Sequence, residues 1–210
     1  QPMWDGSPLN GRTLLLHTEQ GVGDVLQFLR FLPNIVEKKA GDRPGRIVFE
    51  VHDAVLSLLS DLPGVDQTIE RFEKPPHFDV HLPLLSAPLV LGVETLEDLP
   101  AEVPYLQIPE GPDFPIPEAD PDRLKVGFVW GGNPQFQQDS ERSTDIDHYL
   151  PHFDMPVVQW FCLQKGDREP EHVKAPDSVV RLNERIKDFR DTALIMTQLD
   201  LVISTCTSVA

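Results

Sequence analysis

Thr13-Leu14-Leu15-Leu16-His17 is a continuous apolar run of strand length. It passes through the turn Glu19-Gln20-Gly21-Val22-Gly23-Asp24 into residues that are apolar at helical spacing: Val25, Leu26, Phe28, Leu29, Leu32 and Val36. A strand with no polar alternation is one covered on both faces, the situation of a parallel sheet, and a strand leading straight into a helix is half of a βαβ unit. The glycine turn at the junction aims backbone N–H groups above the sheet, where the positive end of a helix dipole suits an anion or a polar ligand. Asp24 complicates that picture, because a carboxylate there caps a helix but repels a phosphate placed on it. Asp24 is therefore either an N-cap or a reacting group.

The pattern recurs. Ile47 to Val51 reads as a second strand, Ala54 to Leu62 as a short helix closed by Pro63-Gly64, and Val65 to Ile69 and Phe78 to Leu82 as further strands. Pro33 is expected to kink or divide the first helix, and Pro88 rules out a long helix over Leu84 to Leu91. Between Leu99 and Pro121 seven prolines stand among acidic residues, a composition that makes an extended, semi-stiff connection. The α/β pattern then restarts with Lys125 to Trp130, Val157 to Leu163 and Val179 to Leu182 as strands, Asp188 to Leu199 as a helix and Leu201 to Ser204 as a last strand. This yields an α/β fold of two domains with parallel, helix-covered sheets. Residues 1–11 are a lead-in, 12–108 the N-terminal domain, 109–121 a Pro-rich linker and 122–210 a partial C-terminal domain, truncated because the chain stops as its last turn begins. With no initiator Met and an abrupt end, the chain is expected to be a piece of something longer.

At 210 residues the chain can bury a real core. The formal charge of −16, from 34 acidic against 18 basic residues, argues against nucleic acid or an anionic membrane as a dominant partner. Cys162 and Cys206 stand far apart in Leu/Val-rich surroundings, which fits buried thiols in a reducing compartment rather than a disulfide or zinc framework. No apolar run is long enough to span a membrane and no signal-peptide pattern is present, so the expected localisation is cytoplasmic. His17, His81 and His148 form no ligand spacing, and no metal is assigned.

Ligands of open α/β sheets bind outside the carboxyl ends of the strands. Four turns stand there: residues 19–24, 131–143, 164–167 and 204–208. Gly21-Val22-Gly23 with Glu50 at the end of the next strand is part of a dinucleotide fingerprint, but Leu26 holds its third glycine position and Asp24 sits where the pyrophosphate would approach.

Taken in order, Glu19 to Asp24 with Leu32-Pro33, Val129-Trp130-Gly131-Gly132-Asn133-Pro134, Glu141-Arg142-Ser143, Leu163-Gln164-Lys165-Gly166, Asp188-Phe189-Arg190-Asp191-Thr192-Ala193 and Leu199 to Ser204 carry a resemblance that covers nearly the whole chain. The sequence resembles the glycosyltransferase-like region found after tetratricopeptide repeats in many bacterial proteins. It is similar to the lipopolysaccharide heptosyltransferases and, more distantly, to the O-linked N-acetylglucosamine transferases. The resemblance implies a GT-B architecture of two Rossmann-like domains with the active site in the cleft between them. It also implies a nucleoside diphosphate sugar as donor, no metal and no other cofactor. The acceptor is unidentified: a glycan, a lipid-linked saccharide or a protein.

By the same resemblance Asp24, in the loop of Gly21 and Gly23, matches the general base that takes the acceptor's proton, and Lys165 matches a lysine facing the donor diphosphate. Asn133, Arg142 and Ser143 match a loop shaping the donor side. Thr205, Thr207 and Ser208 match the turn that holds the donor phosphates. Plainer readings stand beside these: a turn lysine, an Asn-Pro turn and a Ser/Thr helix cap. Two departures bear on catalysis, since Phe136 stands where relatives carry a His and Cys206 where they carry an Asp. Because the family places the remainder of the donor domain after the position of Ala210, the 210-residue chain by itself is expected to be poorly active, with a glycosyltransferase as the parent. The alternative is a non-catalytic module of a repeat protein that binds sugar nucleotides or other proteins.

Overall fold

A computed structural model describes residues 1–117 and 120–210; residues 118 and 119 of the proline-rich stretch lie outside the described residues. The chain divides into two compact units, Gln1–Glu110 and Gly111–Ala210. Each holds a four-stranded parallel sheet. In the first unit β1 (Thr13–His17), β2 (Arg46–Val51), β3 (Gln67–Glu70) and β4 (Val80–Pro83) lie in the order β3-β2-β1-β4. In the second, β5 (Leu124–Val129), β6 (Val158–Cys162), β7 (Val180–Arg181) and β8 (Leu201–Ser204) lie in the order β7-β6-β5-β8. The order is the same in both. The chain steps outward over three strands and then returns to the far side of the first, so each sheet has a switch point beside its first strand.

Apolar runs explain the strands. Leu14 and Leu16 are fully buried on one face of β1, and Leu15 packs with Val48, Ile69 and Phe78 on the other. The helices are shorter than the apolar spacing suggests. The first is split into α1 (Val22–Phe28), a 3-10 turn over Leu29–Phe31 and α2 (Leu32–Glu37), with Pro33 in the first turn of α2, where the missing N–H costs nothing. The expected helix over Ala54 to Leu62 is regular only as α3 (Asp53–Leu56). Pro88 likewise opens α4 (Ala87–Leu91), which Gly92 closes at φ +76°. In the second unit α5 (Asp139–Arg142) is a single turn, and α6 (Phe189–Met196) is capped by the Asp188 carboxylate, which accepts from the N–H groups of Arg190 and Asp191.

Within residues 1–11 Trp4 and Leu9 are buried, and Trp4 N–H donates to the His81 carbonyl while His81 N–H donates to that of Pro2, so the segment runs beside β4. Residues 111–117 have no regular structure, and they are tied to the second unit. Phe114 is buried in the second core, its carbonyl accepts from Gln198 Nε2 at 2.8 Å, and Arg190 Nη1 donates to Pro112 O at 2.9 Å. An irregular proline-rich strand has carbonyls to spare, and α6 and the residues around it supply the donors.

The expectation of two buried thiols is corrected, because the cysteines differ from each other. Cys162 is fully buried in β6 and burial pushes its thiol up to about 12, whereas Cys206 is exposed. A disulfide reagent at pH 8 is expected to modify one thiol in the native chain and two after denaturation. Rapid modification of both in the native state would contradict this burial. Among the described residues no helix is long and apolar enough to cross a membrane.

The second core is aromatic. Phe128 of β5 is stacked on Trp130 at 5.7 Å between ring centroids, lies edge-on to Trp160 at 5.8 Å and meets Phe153 at 5.1 Å. These rings lie beneath the turn that follows β5 and hold its base rigid.

Candidate functional site

At the first switch point β1 runs out through buried Thr18 into the glycine loop. The helix begins at Val22, three residues earlier than the apolar spacing implies, so Gly21 is the N-cap and Asp24 the third helical residue. Asp24 Oδ2 accepts from Gly21 N–H at 3.1 Å. Asp24 thus reaches back to close the helix start instead of standing at the cap, and its other oxygen has no hydrogen-bond partner among the described residues. Capping and reacting are not exclusive here, because they use different oxygens. The arrangement also removes the Gly21 N–H from the donors a phosphate could use, and α1 is only seven residues long. Both facts count against a dinucleotide turn.

Around this loop stands a set of titratable groups that no sequence spacing revealed. His17 Nε2 and His81 Nδ1 are 3.1 Å apart, brought together by the pairing of β1 with β4. Burial, followed by the charges of His81 and Arg71, holds His17 below the usual imidazole range. Glu50 is the β2 neighbour of His17, and burial pushes its carboxyl up while Arg71 and His52 pull it down. His52 Nε2 lies 2.6 Å from the Gln20 carbonyl, a bond only its N–H tautomer can make. Among the described residues no group of three or more His, Cys, Asp or Glu side chains could hold a metal ion.

The second switch point is built on Gln164, Asp139 and two arginines. Gln164 is buried directly after β6 and Leu163, and its carboxamide is fully used. Its Oε1 accepts from the N–H groups of Trp130 and Gly131 at 3.1 and 2.9 Å, and its Nε2 donates to the carbonyls of Gly131 and Lys165 at 2.9 and 2.7 Å. Asp139, 3% exposed, ties down the far side of the loop. Its Oδ1 accepts from Ser143 Oγ at 2.9 Å and Arg142 Nε at 3.1 Å, and Arg168 Nη2 lies 3.6 Å from Oδ2. Gly132 N–H in turn donates to Ser143 Oγ at 2.8 Å. Side chains fill the space over both glycines: a Cβ on Gly131 would lie 2.2 Å from Arg168 Cδ, and one on Gly132 2.7 Å from Asp139 Oδ1.

The residues anticipated for the donor fare differently. Asn133 Oδ1 accepts from Gln135 N–H at 2.9 Å, making the turn. Ser143 is committed to Gly132 and Asp139. Lys165 Nζ is held by Glu169 at 2.9 Å and by the Asn183 carbonyl at 3.0 Å, so its charge is already balanced. Arg142 lies over the Phe136 ring at 4.5 Å and shares Asp139 with Arg168, two guanidinium groups on one carboxylate. Thr205, Thr207 and Ser208 follow β8 at the same edge. The Thr205 hydroxyl is buried with no hydrogen-bond partner among the described residues, and Thr207 Oγ1 accepts from Val209 N–H at 3.3 Å. Gln164 lies in the Leu163-Gln164-Lys165-Gly166 run, but its bracing of the turn is visible only in the structure. Asp139 and Arg168 were missed, since neither lies in a run with chemistry of its own.

No protein-family model matches the sequence. The chain is 27% identical to Protein FlbA of Caulobacter vibrioides over 231 aligned residues, covering 95% of this chain and 37% of that protein. It therefore spans little more than a third of the curated relative it matches. Among solved structures it is similar to the glycosyl transferase family 9 protein from Veillonella parvula, with a TM-score of 0.61 and 11% identity over 98% of this chain and 78% of that one. It is also similar to ADP-heptose lipopolysaccharide heptosyltransferase II of E. coli, with a TM-score of 0.56 and 12% identity over 93% and 80%. The iron-containing dodecameric glycosyltransferase TibC of enterotoxigenic E. coli gives a TM-score of 0.54 with 14% identity over 93% and 54%. These likenesses span both units, and the chain has the α/β fold of these glycosyltransferases, with two parallel sheets.

Proposed function

We propose that the chain is the GT-B glycosyltransferase region of a longer protein, and that it moves a sugar from a nucleoside diphosphate donor to an acceptor hydroxyl without a metal. The first unit is the acceptor side and the second the donor side. The observation that carries this reading is the furnishing of the two switch points. One presents a carboxylate oxygen with no partner among the described residues, on Asp24, and the other presents two arginines on one carboxylate. In the reaction the acceptor oxygen bonds to the anomeric carbon as its proton passes to Asp24 Oδ1, and the bond from that carbon to the diphosphate breaks. The charge left on the diphosphate needs a cation. Arg142 and Arg168, with surplus positive charge between them, suit that role better than the balanced Lys165. The Thr205 hydroxyl is a further donor at the same edge.

The reading carries with it that the donor-side unit continues past residue 210 and that repeats precede residue 1 in the parent. Calorimetric titration with UDP- and ADP-sugars tests the donor assignment: one of them is expected to bind, and binding weakens in Arg142→Gln. Absence of binding by all of them overturns it. One observation favours the second reading, a binding module without turnover: Asn133 and Ser143 are spent on the loop and Phe136 lies under Arg142, where a proton-exchanging side chain would otherwise stand. Donor binding with neither transfer nor hydrolysis would select that reading.

A further inference from the structure

The Gln20–Gly21 peptide is held at both of its polar ends. Its N–H donates to Asp24 Oδ2 at 3.1 Å, and its carbonyl accepts from His52 Nε2 at 2.6 Å. Arg71 Nη1 approaches the same ring nitrogen at 3.4 Å, but a nitrogen that gives its proton to Gln20 O cannot accept from an arginine, and the shorter contact decides the tautomer. His52 stands directly after β2 and before α3, so its ring crosses from the neighbouring strand to the loop that leaves β1. Among the described residues no other side chain from outside the loop and α1 hydrogen-bonds to residues 19–24.

Residues 19–21 are exposed, and a glycine sets no firm preference for the orientation of the peptide before it. In a trans peptide the C=O and N–H point in opposite directions, so fixing one fixes the other. A donor on Gln20 O therefore aims the Gly21 N–H, and it also polarises the peptide into a stronger donor toward Asp24. We infer that His52 is a positioning residue for Asp24, acting through the Gln20–Gly21 peptide: it keeps Oδ2 in the bond that closes the helix and leaves Oδ1 to take the acceptor's proton. The inference rests on the reading of Asp24 as the general base and adds the group that holds it in place. The His52 backbone also caps α3, its carbonyl accepting from Val55 N–H at 3.1 Å, but its side chain makes no cap bond, so a substitution leaves that helix start intact.

His52→Ala and His52→Gln test this by two readouts. In ¹H–¹⁵N spectra of the full chain, the Gly21 amide resonance of His52→Ala is expected to move in the direction it takes in Asp24→Ala. In His52→Gln, whose carboxamide N–H can still donate to Gln20 O, it is expected to stay near its wild-type place. In the parent protein the kcat for sugar transfer is expected to fall about three- to tenfold in His52→Ala, the worth of one hydrogen bond, with the donor KM unchanged, and to recover in His52→Gln. A Gly21 resonance that does not move in His52→Ala overturns the inference. So does an unchanged kcat in His52→Ala where Asp24→Asn is slow, or a loss that His52→Gln fails to recover. Full activity in Asp24→Asn overturns the general-base reading instead, and the two failures are told apart because the Gly21 resonance does not depend on turnover.

Discussion

Asparagine in place of Asp24 is expected to slow sugar transfer by a factor of about 10²–10⁴, the usual contribution of a positioned general base, while the fold survives. The carboxamide oxygen of the substituted side chain can still accept the Gly21 N–H that Asp24 Oδ2 accepts at 3.1 Å. The helix start therefore keeps its hydrogen bond and loses only the charge near the dipole, worth about 0.3–1 kcal/mol. Alanine removes both functions. The informative comparison is thus between the two variants, measured as transfer rate and as unfolding midpoint in the parent protein. If Asp24 only closes the helix, Asp24→Asn keeps nearly full activity and Asp24→Ala loses mainly stability. If it is the base, both lose the rate alike and differ in stability. Full activity in Asp24→Asn would end the catalytic assignment.

Truncation of Phe128 to alanine is expected to cost about 3–5 kcal/mol, the range for deleting a buried aromatic ring. Phe128 is fully buried and contacts Trp130, Tyr149, Phe153 and Trp160, none of which can swing into the void without leaving its own neighbours. Because Trp130 carries the turn held by Gln164, the loss should reach the switch point as well as the core. Phe136→Ala is the control. That ring is half exposed and meets Arg142 face-on, and its removal should cost only about 0.5–1 kcal/mol. Denaturant unfolding followed by tryptophan emission reads both changes, since Trp130 and Trp160 flank Phe128. A shift below about 1 kcal/mol for Phe128→Ala, against the loss expected for a buried ring, would show that this ring cluster does not hold the second unit together.

Strand positions were legible because they depend on residues adjacent in sequence. β1 and β8 fall on the residues their apolar runs mark, and β2 and β5 lie within a residue of theirs. Helix lengths were less legible. The run over Ala54 to Leu62 is regular only over Asp53–Leu56. Pro33, by contrast, divides its helix and Pro88 keeps its own short, as their residue type implies, each from the first turn of a new helix where proline is tolerated. The site divided in the same way. The turns stood out through their glycines and their places after strands, but the groups that furnish them did not. Asp139 lies in a polar stretch of no evident pattern, and only its burial under Arg142, Arg168 and Ser143 marks it as structural.

By itself the sequence determined that the chain builds two runs of covered parallel strands, each followed by a polar turn, because apolar runs and glycine junctions act through neighbouring residues. Only the tertiary structure decided which groups meet at those turns. His17 faces His81 across 64 positions, Gln164 reaches Gly131 across 33, and Phe114 and Gln198 join across 84. Strand order and side-chain reach produce those encounters, and neither is a property of any local stretch.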